Sequence, residues 1–337
     1  MELNHSVLEG DRLALARLLT EIENDTPAGQ VALNAIFSRT GKAHLIGVTG
    51  APGTGKSSLV NQLALHYRKP PAGEARRVGI VAIDPSSPFT GGAVLGDRIR
   101  MRELSGDSGV FIRSMATRGS LGGLAAATAG VVQALDAAGY DLIFIETVGS
   151  GQSEVEIAKL AHTVLVVDAP GMGDDVQAIK AGILEIADIL VLNKADRPGV
   201  ESAERALLGM LKLGHPTKRI AHHGQLAEVQ TADAEPAAPD DWIPPIRRTV
   251  ATEGKGVAEL AEAIAGHRLH LERSGDWQRR DLARLQTEVE DLLRSQLMGR
   301  WQEKADQQVY NSLLDEMLNR KISPRQMATA LLNGRKP

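Results

Sequence analysis

The spacing of apolar residues divides the chain into a helical beginning, a long middle part and a helical end. In the first part, Leu15, Leu18 and Ile22 fall on one face of a helix, and Thr26 followed by Pro27 is typical of the start of a second helix. We therefore predict an N-terminal helical extension over residues 1–40.

In the middle part, residues 41–268, short β-branched runs alternate with longer stretches of helical spacing. Several of these runs are apolar on both faces, which is typical of strands in a parallel sheet covered by helices on both sides. The predicted strands are His44–Thr49, Val78–Asp84, Val110–Ser114, Leu142–Glu146, Val164–Asp168, Ile189–Asn193 and Ile246–Ala251. The pattern predicts an α/β domain with a doubly wound, mostly parallel sheet.

The last part, residues 269–337, has only helical spacing and is predicted to form a C-terminal helical arm. One apolar stripe consists of Leu282, Leu285, Val289, Leu292 and Leu293. The run Ser323-Pro324-Arg325-Gln326 matches a capping box with proline at the first helical position, and it predicts a last short helix. An amphipathic stripe packs on its own domain or on a partner, and the pattern leaves both open.

The composition excludes several classes of function. The chain has 337 residues, a net charge of −4 and no cysteine, which rules out a disulfide scaffold, thiolate metal sites and a cysteine nucleophile. The negative charge, with only three Trp, three Tyr and four Phe, argues against nucleic-acid binding. No apolar run approaches the ~20 residues of a membrane span, so we expect a cytoplasmic protein that does not contact membranes.

A phosphate-binding loop is predicted directly after the first strand. The run Gly50-Ala51-Pro52-Gly53-Thr54-Gly55-Lys56-Ser57 fits G-x-x-x-x-G-K-[ST], and Ser58 continues into a predicted helix. Glycines let successive backbone N–H groups turn towards phosphate oxygens, and the helix adds the positive end of its dipole. Lys56 is expected to reach the β- and γ-phosphates, and the Ser57 hydroxyl is expected to bind Mg²⁺.

Acidic residues at strand ends are the candidate partners of this Mg²⁺, because ligands of open α/β sheets bind at the carboxyl ends of the strands. Asp84 and Glu146 end two predicted strands, and Asp97 follows a glycine-rich segment. Gly149, in the run Glu146-Thr147-Val148-Gly149, is predicted to sense the γ-phosphate through its N–H. For each acid the alternative is a capping role at the next helix.

A base-recognition site is predicted at Asn193-Lys194-Ala195-Asp196, which follows a predicted strand. The Asp196 carboxylate would accept hydrogen bonds from N1–H and the 2-amino group of guanine, which adenine cannot supply, while the Lys194 stem covers the ring. Downstream, Thr249-Val250-Ala251 is the predicted second base loop, with the Ala251 N–H facing the guanine O6.

With these motifs in place, the chain resembles the MeaB/ArgK/MMAA group of P-loop GTPases. The resemblance extends over nearly the whole chain, and its most specific parts are the D-P-S-S-P and E-T-V-G-S-G-Q-S-E runs. The segments that carry it are Gly47–Ser58, Asp84–Arg98, Glu146–Glu154, Gly171–Ala187 and Asn193–Asp196. Val250 is a departure, because the family commonly has serine there.

The resemblance implies a GTPase that is a chaperone of adenosylcobalamin-dependent acyl-CoA mutases. It would bind GTP or GDP with Mg²⁺ and meet adenosylcobalamin only through the partner enzyme. The resemblance also implies switch segments at 84–102, 146–154 and 171–183, and a role for Lys180 of the third segment in partner-dependent activation. From the residues alone, Lys180 is equally a solvated helix position. Finally, the resemblance favours a homodimer formed through the C-terminal arm.

Other functions remain open at this point. A small-molecule kinase shares the phosphate loop, although the guanine motif speaks against it, and a nickel-insertion GTPase shares the fold but usually has a Cys/His metal site. A nucleotide-gated adaptor without significant turnover is the third alternative. No glutamine directly follows Gly149 to orient a water molecule, so we expect slow hydrolysis without a partner. The client could be a methylmalonyl-, isobutyryl- or 2-hydroxyisobutyryl-CoA mutase.

Overall fold

The computed structural model describes residues 3–85, 101–104, 106–117, 121–147, 153–171, 185–213, 221–222, 225–226 and 242–333. The chain divides into two compact units, Met1–Glu288 and Val289–Pro337. Within the described ranges, no helix combines the length and apolar character needed to cross a membrane.

The first unit is built on a seven-stranded parallel sheet, which confirms the predicted α/β fold. The strand order is β3-β2-β4-β1-β5-β6-β9, and a two-stranded antiparallel ladder pairs β7 with β8. The strands are β1 (His44–Thr49), β2 (Val78–Pro85), β3 (Val110–Thr117), β4 (Leu142–Thr147), β5 (Thr163–Asp168), β6 (Ile189–Leu192), β7 (Ala221–His222), β8 (Gln225–Leu226) and β9 (Ile246–Arg248).

Helices cover both faces of this sheet. Those of the first unit are α1 (Leu3–Leu8), α2 (Arg12–Glu23), α3 (Pro27–Ile36), α4 (Lys56–Arg68), α5 (Leu121–Ala137), α6 (Ser153–Leu160), α7 (Val200–Leu213), α8 (Val257–Ser274) and the beginning of α9 (Asp276–Lys304). Alternation along β1 shows the two layers, since Leu45 joins the core with α2 and α5 while Ile46 joins the core with α4 and α8.

The parallel strands give the sheet two chemically distinct edges. We call the edge at the strands' C-terminal ends the carboxyl edge and the opposite one the amino edge. The central strand β1 lies between β4 and β5, with His44 opposite Leu142 and Ile46 opposite Thr163. The loop that follows Thr49 therefore emerges in the middle of the carboxyl edge, where open α/β sheets bind their ligands.

The predicted start of α3 is confirmed, because the Thr26 hydroxyl accepts a hydrogen bond from the Gly29 N–H at 3.0 Å. The predicted last strand, in contrast, is shorter than expected. It ends at Arg248, because the following residues turn to bond the side chain of Asn193.

The second unit contains α10 (Gln307–Leu318) and α11 (Pro324–Asn333), together with the later part of α9. Its small core is formed by Leu313, Met327 and Ala330. The predicted capping box is confirmed: the Ser323 N–H donates to Gln326 Oε1 at 2.8 Å, and the Gln326 N–H donates to Ser323 Oγ at 3.2 Å.

Candidate nucleotide site

The loop between β1 and α4 has a backbone that only glycine can adopt at two of its positions. Gly50 has φ +136°, and a side-chain carbon there would lie 2.0 Å from the carbonyl oxygen of Val167 on β5. Gly55 has φ +94°, and a side-chain carbon there would lie 2.4 Å from Asn193 Nδ2. The loop is thus pressed between β5 and the base-recognition residues, which explains its glycines physically.

Lys56, the first residue of α4, folds back over this loop. Its buried Nζ donates to the carbonyl oxygens of Gly50 at 2.8 Å and Ala51 at 3.0 Å. The Thr54 hydroxyl also donates to the carbonyl oxygen of Ala51, at 2.9 Å, and so links two residues within the loop. An ammonium group held at the mouth of a glycine loop, beside a helix N-terminus, is suited to phosphate oxygens.

Three further residues of the predicted loop, Pro52, Gly53 and Ser58, lie where the sequence placed them. Pro52 and Gly53 form its exposed outer turn, and Ser58 is half-buried in the first turn of α4. The place of these three residues in nucleotide binding stays a prediction.

Ser57 and Glu146 come together at the carboxyl edge. The Ser57 hydroxyl donates to Glu146 Oε1 at 2.6 Å, and both side chains are buried. A hydroxyl and a carboxylate from neighbouring elements are the oxygen ligands that Mg²⁺ uses alongside phosphates and water, so these two residues fit the ion. Within the described ranges, no group of three or more His, Asp or Glu side chains could hold a metal by itself.

Several predicted site residues fall outside what the structure describes. Asp84 lies at the end of β2, but only its backbone is described. Asp97, Gly149 and Lys180 lie outside the described residues. Their roles towards Mg²⁺, the γ-phosphate and a partner stay predictions.

Asn193 connects the phosphate loop to the second base loop. Its Nδ2 donates to the carbonyl oxygen of Thr54 at 2.8 Å. Its Oδ1 accepts from the Thr249 hydroxyl and from the Ala251 N–H, both at 3.1 Å. One buried amide therefore ties three segments together, and this explains why an asparagine stands at the start of the motif.

Lys194 is the one strained residue among the predicted base-binding positions that the structure describes. Its φ of +55° is a left-handed conformation that non-glycine residues rarely adopt. Its Nζ donates to the carbonyl oxygen of Gly53 at 2.5 Å, so the stem extends across the mouth of the loop. Asp196, two residues later, is exposed and available to a base. Strain held in place by a long-range contact is typical of a functional site.

The second base loop is bonded to Asn193. The Ala251 N–H, which the sequence predicts to face the guanine O6, donates to Asn193 Oδ1 in the structure. The loop is closed by the Val250 N–H, which donates to the carbonyl oxygen of Lys255 at 3.0 Å. The contact of this loop with the base, including that between Ala251 and guanine, stays a prediction.

Asp168, the last residue of β5, is a polar residue of the site that the motifs did not reveal. Its carboxyl group is buried, and Oδ1 accepts from the Ala169 N–H at 2.8 Å. Burial raises the pKa of this carboxyl group. Because Gly50 packs on the preceding carbonyl oxygen, Asp168 lies beside the start of the phosphate loop. The available signal was a single acid at the end of an otherwise apolar strand.

A phosphate loop, the Ser57–Glu146 pair and the N-K-x-D motif at one edge of a parallel sheet define a P-loop GTPase. Comparison with known families agrees: the family described as "Methylmalonyl Co-A mutase-associated GTPase MeaB" matches residues 15–306. The chain belongs to this family and is a GTPase.

Relatives support this assignment over most of the chain. A protein of Pyrococcus horikoshii named as a GTPase is 44% identical over 98% of this chain and 96% of its own length. The GTPase ArgK of Escherichia coli is 34% identical, covering 79% of this chain and 75% of ArgK. The mitochondrial methylmalonic aciduria type A homolog of Caenorhabditis elegans is 28% identical, covering 97% of this chain and 80% of that protein.

A solved structure supports the fold alone. The crystal structure of a LAO/AO transport system kinase superimposes with a TM-score of 0.68 at 24% identity, covering 98% of this chain and 95% of the other.

Proposed function

We propose that this GTPase is a chaperone that gates the loading or protection of adenosylcobalamin in a B12-dependent acyl-CoA mutase. The client would be methylmalonyl-CoA mutase or a related isobutyryl- or 2-hydroxyisobutyryl-CoA mutase. The observation that carries the proposal is the family match over residues 15–306, because the family is described as associated with methylmalonyl-CoA mutase. The match includes α2, α3 and α9, so the likeness extends beyond the nucleotide site.

The described residues support the binding of GTP with Mg²⁺. Lys56 rests on loop carbonyl oxygens, and phosphate oxygens would replace these partners because they carry a full charge. Ser57 and Glu146 would hold Mg²⁺, which would neutralise charge on the β- and γ-phosphates. In this proposal Asp84 and Asp97 assist the metal, Gly149 senses the γ-phosphate and Lys180 responds to the partner.

The proposal includes slow hydrolysis by the chain alone and faster hydrolysis with the mutase. The E-T-V-G motif is not followed directly by a glutamine that could orient the attacking water. A partner that supplies or orders the missing group would then couple hydrolysis to the state of the client enzyme. The cytoplasm is the proposed place of action.

We also propose that the chain is a homodimer. The part of helix α9 in the second unit leaves large apolar side chains exposed, each between 44% and 63% accessible: Val289, Leu292, Leu293, Leu297 and Met298. An exposed row of this size on one helix marks an interface more often than a free surface. Residues 269–337, as predicted, would be the dimerisation arm.

The test of gating is GTP hydrolysis with and without a purified apo-mutase of each candidate class. We expect one of them to raise the rate of GTP hydrolysis at least several-fold. We also expect the mutase to retain adenosylcobalamin to a different extent with GDP than with a non-hydrolysable GTP analogue. Lys56→Ala in the same mixture is the control that assigns the turnover to this chain.

Each other outcome points to another function. Equal rates with and without every mutase would contradict partner gating. Turnover near zero in all mixtures would favour the adaptor, and phosphate transfer to an added small molecule would favour the kinase.

The test of the dimer is light scattering on the full chain. We expect a dimer for the native chain and a monomer for the double variant Leu292→Asp and Leu297→Asp. Gln302→Asp, which changes an exposed polar residue on the side of the helix away from Val289 and Leu293, is the matched control and keeps the dimer. A native chain of monomeric mass would contradict the proposal.

A further inference from the structure

A second cluster of polar side chains lies at the amino edge, where it takes no part in nucleotide binding. It joins the starts of β1, β5 and β6 to α8 and to the first residues of α9. We call it the histidine clasp, and its members are His44, His162, Thr163, Asp188, His267, Trp277, Arg280, Asp281 and Arg284.

One half of the clasp is a buried hydrogen-bond chain through Thr163. Its Oγ1 lies 2.7 Å from His44 Nε2 and 2.9 Å from His267 Nδ1. A hydroxyl has one proton, so at most one of the two histidines can accept a hydrogen bond from it. His267 Nε2 lies 3.5 Å from Asp188 Oδ1, which favours the proton on that nitrogen. His44 then donates to Thr163, and Thr163 donates to His267 Nδ1.

The other half of the clasp is centred on His162. Its Nδ1 accepts from the Leu45 N–H at 3.1 Å, and its Nε2 lies 2.9 Å from Asp281 Oδ1. The ring stacks on Trp277 with centroids 3.9 Å apart. Because Nδ1 accepts a backbone hydrogen bond, it cannot also carry a proton. Protonation of Nδ1 therefore breaks the bond that the His162 ring accepts from the Leu45 N–H.

Two arginines of α9 complete the clasp. Arg280 makes two hydrogen bonds to the Asp188 carboxylate, at 2.8 and 2.9 Å, and a third to the carbonyl oxygen of His162 at 2.6 Å. Arg284 donates to Asp281 Oδ1 at 2.7 Å. Residues 276–288, which we call the root of α9, are thus fastened to three strands through buried partners.

Burial and the neighbouring charges together lower the pKa of His162 and of His44. For His162, burial lowers the pKa most, Asp281 raises it, and Arg284 and Arg280 lower it, with a lowered pKa as the result. His44 lies 6.2 Å from the same ring, centroid to centroid.

For His44, burial again lowers the pKa most. The charges of His162, Arg268 and His267 lower it further, and Asp188 raises it, so the pKa is well below 6.5. The closed clasp thus favours the neutral form of both histidines.

We propose that the histidine clasp is an acid-releasable fastening of the α9 root to the GTPase domain. A histidine whose pKa is lowered in the closed state binds protons more readily when the root is released. Closure is therefore fully favoured above about pH 6.5 and is progressively lost as the pH falls below that value. Each of the two histidines favours release about tenfold per pH unit in that range.

Hydrogen–deuterium exchange of the full chain at pH 7.5 and 5.5, corrected for intrinsic exchange, tests the proposal. We expect the root, residues 276–288, to lose roughly 10-fold protection or more at pH 5.5, while β4 keeps its protection. His162→Gln cannot be protonated and has an N–H for Asp281, so its root should lose about tenfold less protection. His5→Gln makes the same change at an exposed histidine and should behave like the native chain.

Three results of the exchange experiment would overturn the proposal: equal root protection at both pH values, an unchanged acid response in His162→Gln, or loss of protection in β4 together with the root. A measurement on the native chain covers the case in which His162→Gln does not fold. Nitrogen NMR should show His162 protonated only at Nε2 at pH 7, with a titration midpoint below 6.5. A midpoint at or above 6.5 would overturn the proposal.

Discussion

Strands β1, β5 and β6 begin at the histidine clasp and lead to the nucleotide site, so the same strands present two different environments. At the carboxyl edge, Lys56 rests on loop carbonyl oxygens and Asp196 is exposed. At the amino edge, Asp188 is buried under the two bonds from Arg280. The charged groups of the proposed nucleotide site contact neutral carbonyl oxygens or are exposed. The charged groups of the histidine clasp form ion pairs with each other.

The difference predicts which property a substitution changes. At the carboxyl edge, a lost side chain should weaken nucleotide chemistry and leave folding nearly intact. At the amino edge, a lost side chain should lower the free energy of unfolding and leave the chemistry of the remaining folded protein nearly intact.

The largest expected effect is on turnover. Lys56→Ala should lower the rate of GTP hydrolysis roughly 100- to 1000-fold, because a positive charge that stabilises the transition state is removed. The free energy of unfolding should change little, since the contacts of Lys56 with the carbonyl oxygens of Gly50 and Ala51 lie within its own loop. Lys69→Ala, at the other end of the same helix, is the control and should keep full activity. A Lys56→Ala protein that unfolds instead would contradict the contrast between the edges.

The largest expected effect on stability is at the amino edge. Arg280→Ala leaves Asp188 buried without its bidentate partner and should cost about 3 kcal/mol in urea denaturation at pH 7.5. Arg279→Ala is the matched control, because the side chain of this neighbouring arginine is 70% exposed. This substitution should cost less than about 0.5 kcal/mol. Equal costs for the two variants would show that the clasp contributes no more than a surface ion pair.

The next largest expected effect is on the selectivity for the nucleotide base. Asp196→Asn replaces an acceptor of two guanine N–H groups with an amide and should weaken GDP binding roughly 10- to 100-fold. The Asn amide can donate to the oxygen that xanthine has in place of the 2-amino group, so affinity for xanthosine diphosphate should rise. Titration calorimetry with both nucleotides measures the change. Similar weakening for both would indicate that Asp196 supports the loop rather than reading the base.

The smallest expected effect is at the centre of the clasp. Thr163→Val keeps the shape of the side chain but removes the hydroxyl between His44 and His267, and it should cost about 1–2 kcal/mol. Thr40→Val, where the hydroxyl bonds only a local carbonyl oxygen, should cost less. GTP hydrolysis by folded Thr163→Val should match the native rate. A slower rate at equal folded fraction would mean that the two edges are coupled.

Much of the nucleotide site could be predicted because its chemistry is contiguous in sequence. The loop from Gly50 to Ser57 and the run from Asn193 to Asp196 each fit in eight residues or fewer, and the strands before them are apolar on both faces. The same is true of the caps at Thr26 and Ser323, which involve partners three residues away. Local geometry imposes residue types at fixed spacing, so the pattern is visible without a fold.

The rest required the fold. The end of β9 brings the Ala251 N–H to Asn193, which is 58 residues away, and no motif indicates this contact. In the sequence, Asp168 is only the last residue of an apolar strand. The packing of Gly50 on the carbonyl oxygen of Val167 brings the phosphate loop next to it. In each case the deciding contact joins separate strands, and no local pattern carries that information.

The sequence by itself determined the class of fold, the phosphate loop and the guanine motif, because these depend on backbone conformations and spacings within one segment. Only the tertiary structure decided the histidine clasp, since its members come from positions between 44 and 284 and meet only when parallel strands align their starts. A buried histidine or aspartate has no distinctive neighbours in sequence. Its protonation state and its hydrogen-bond partners depend on α8 and α9, which cover it and follow the sheet in the chain.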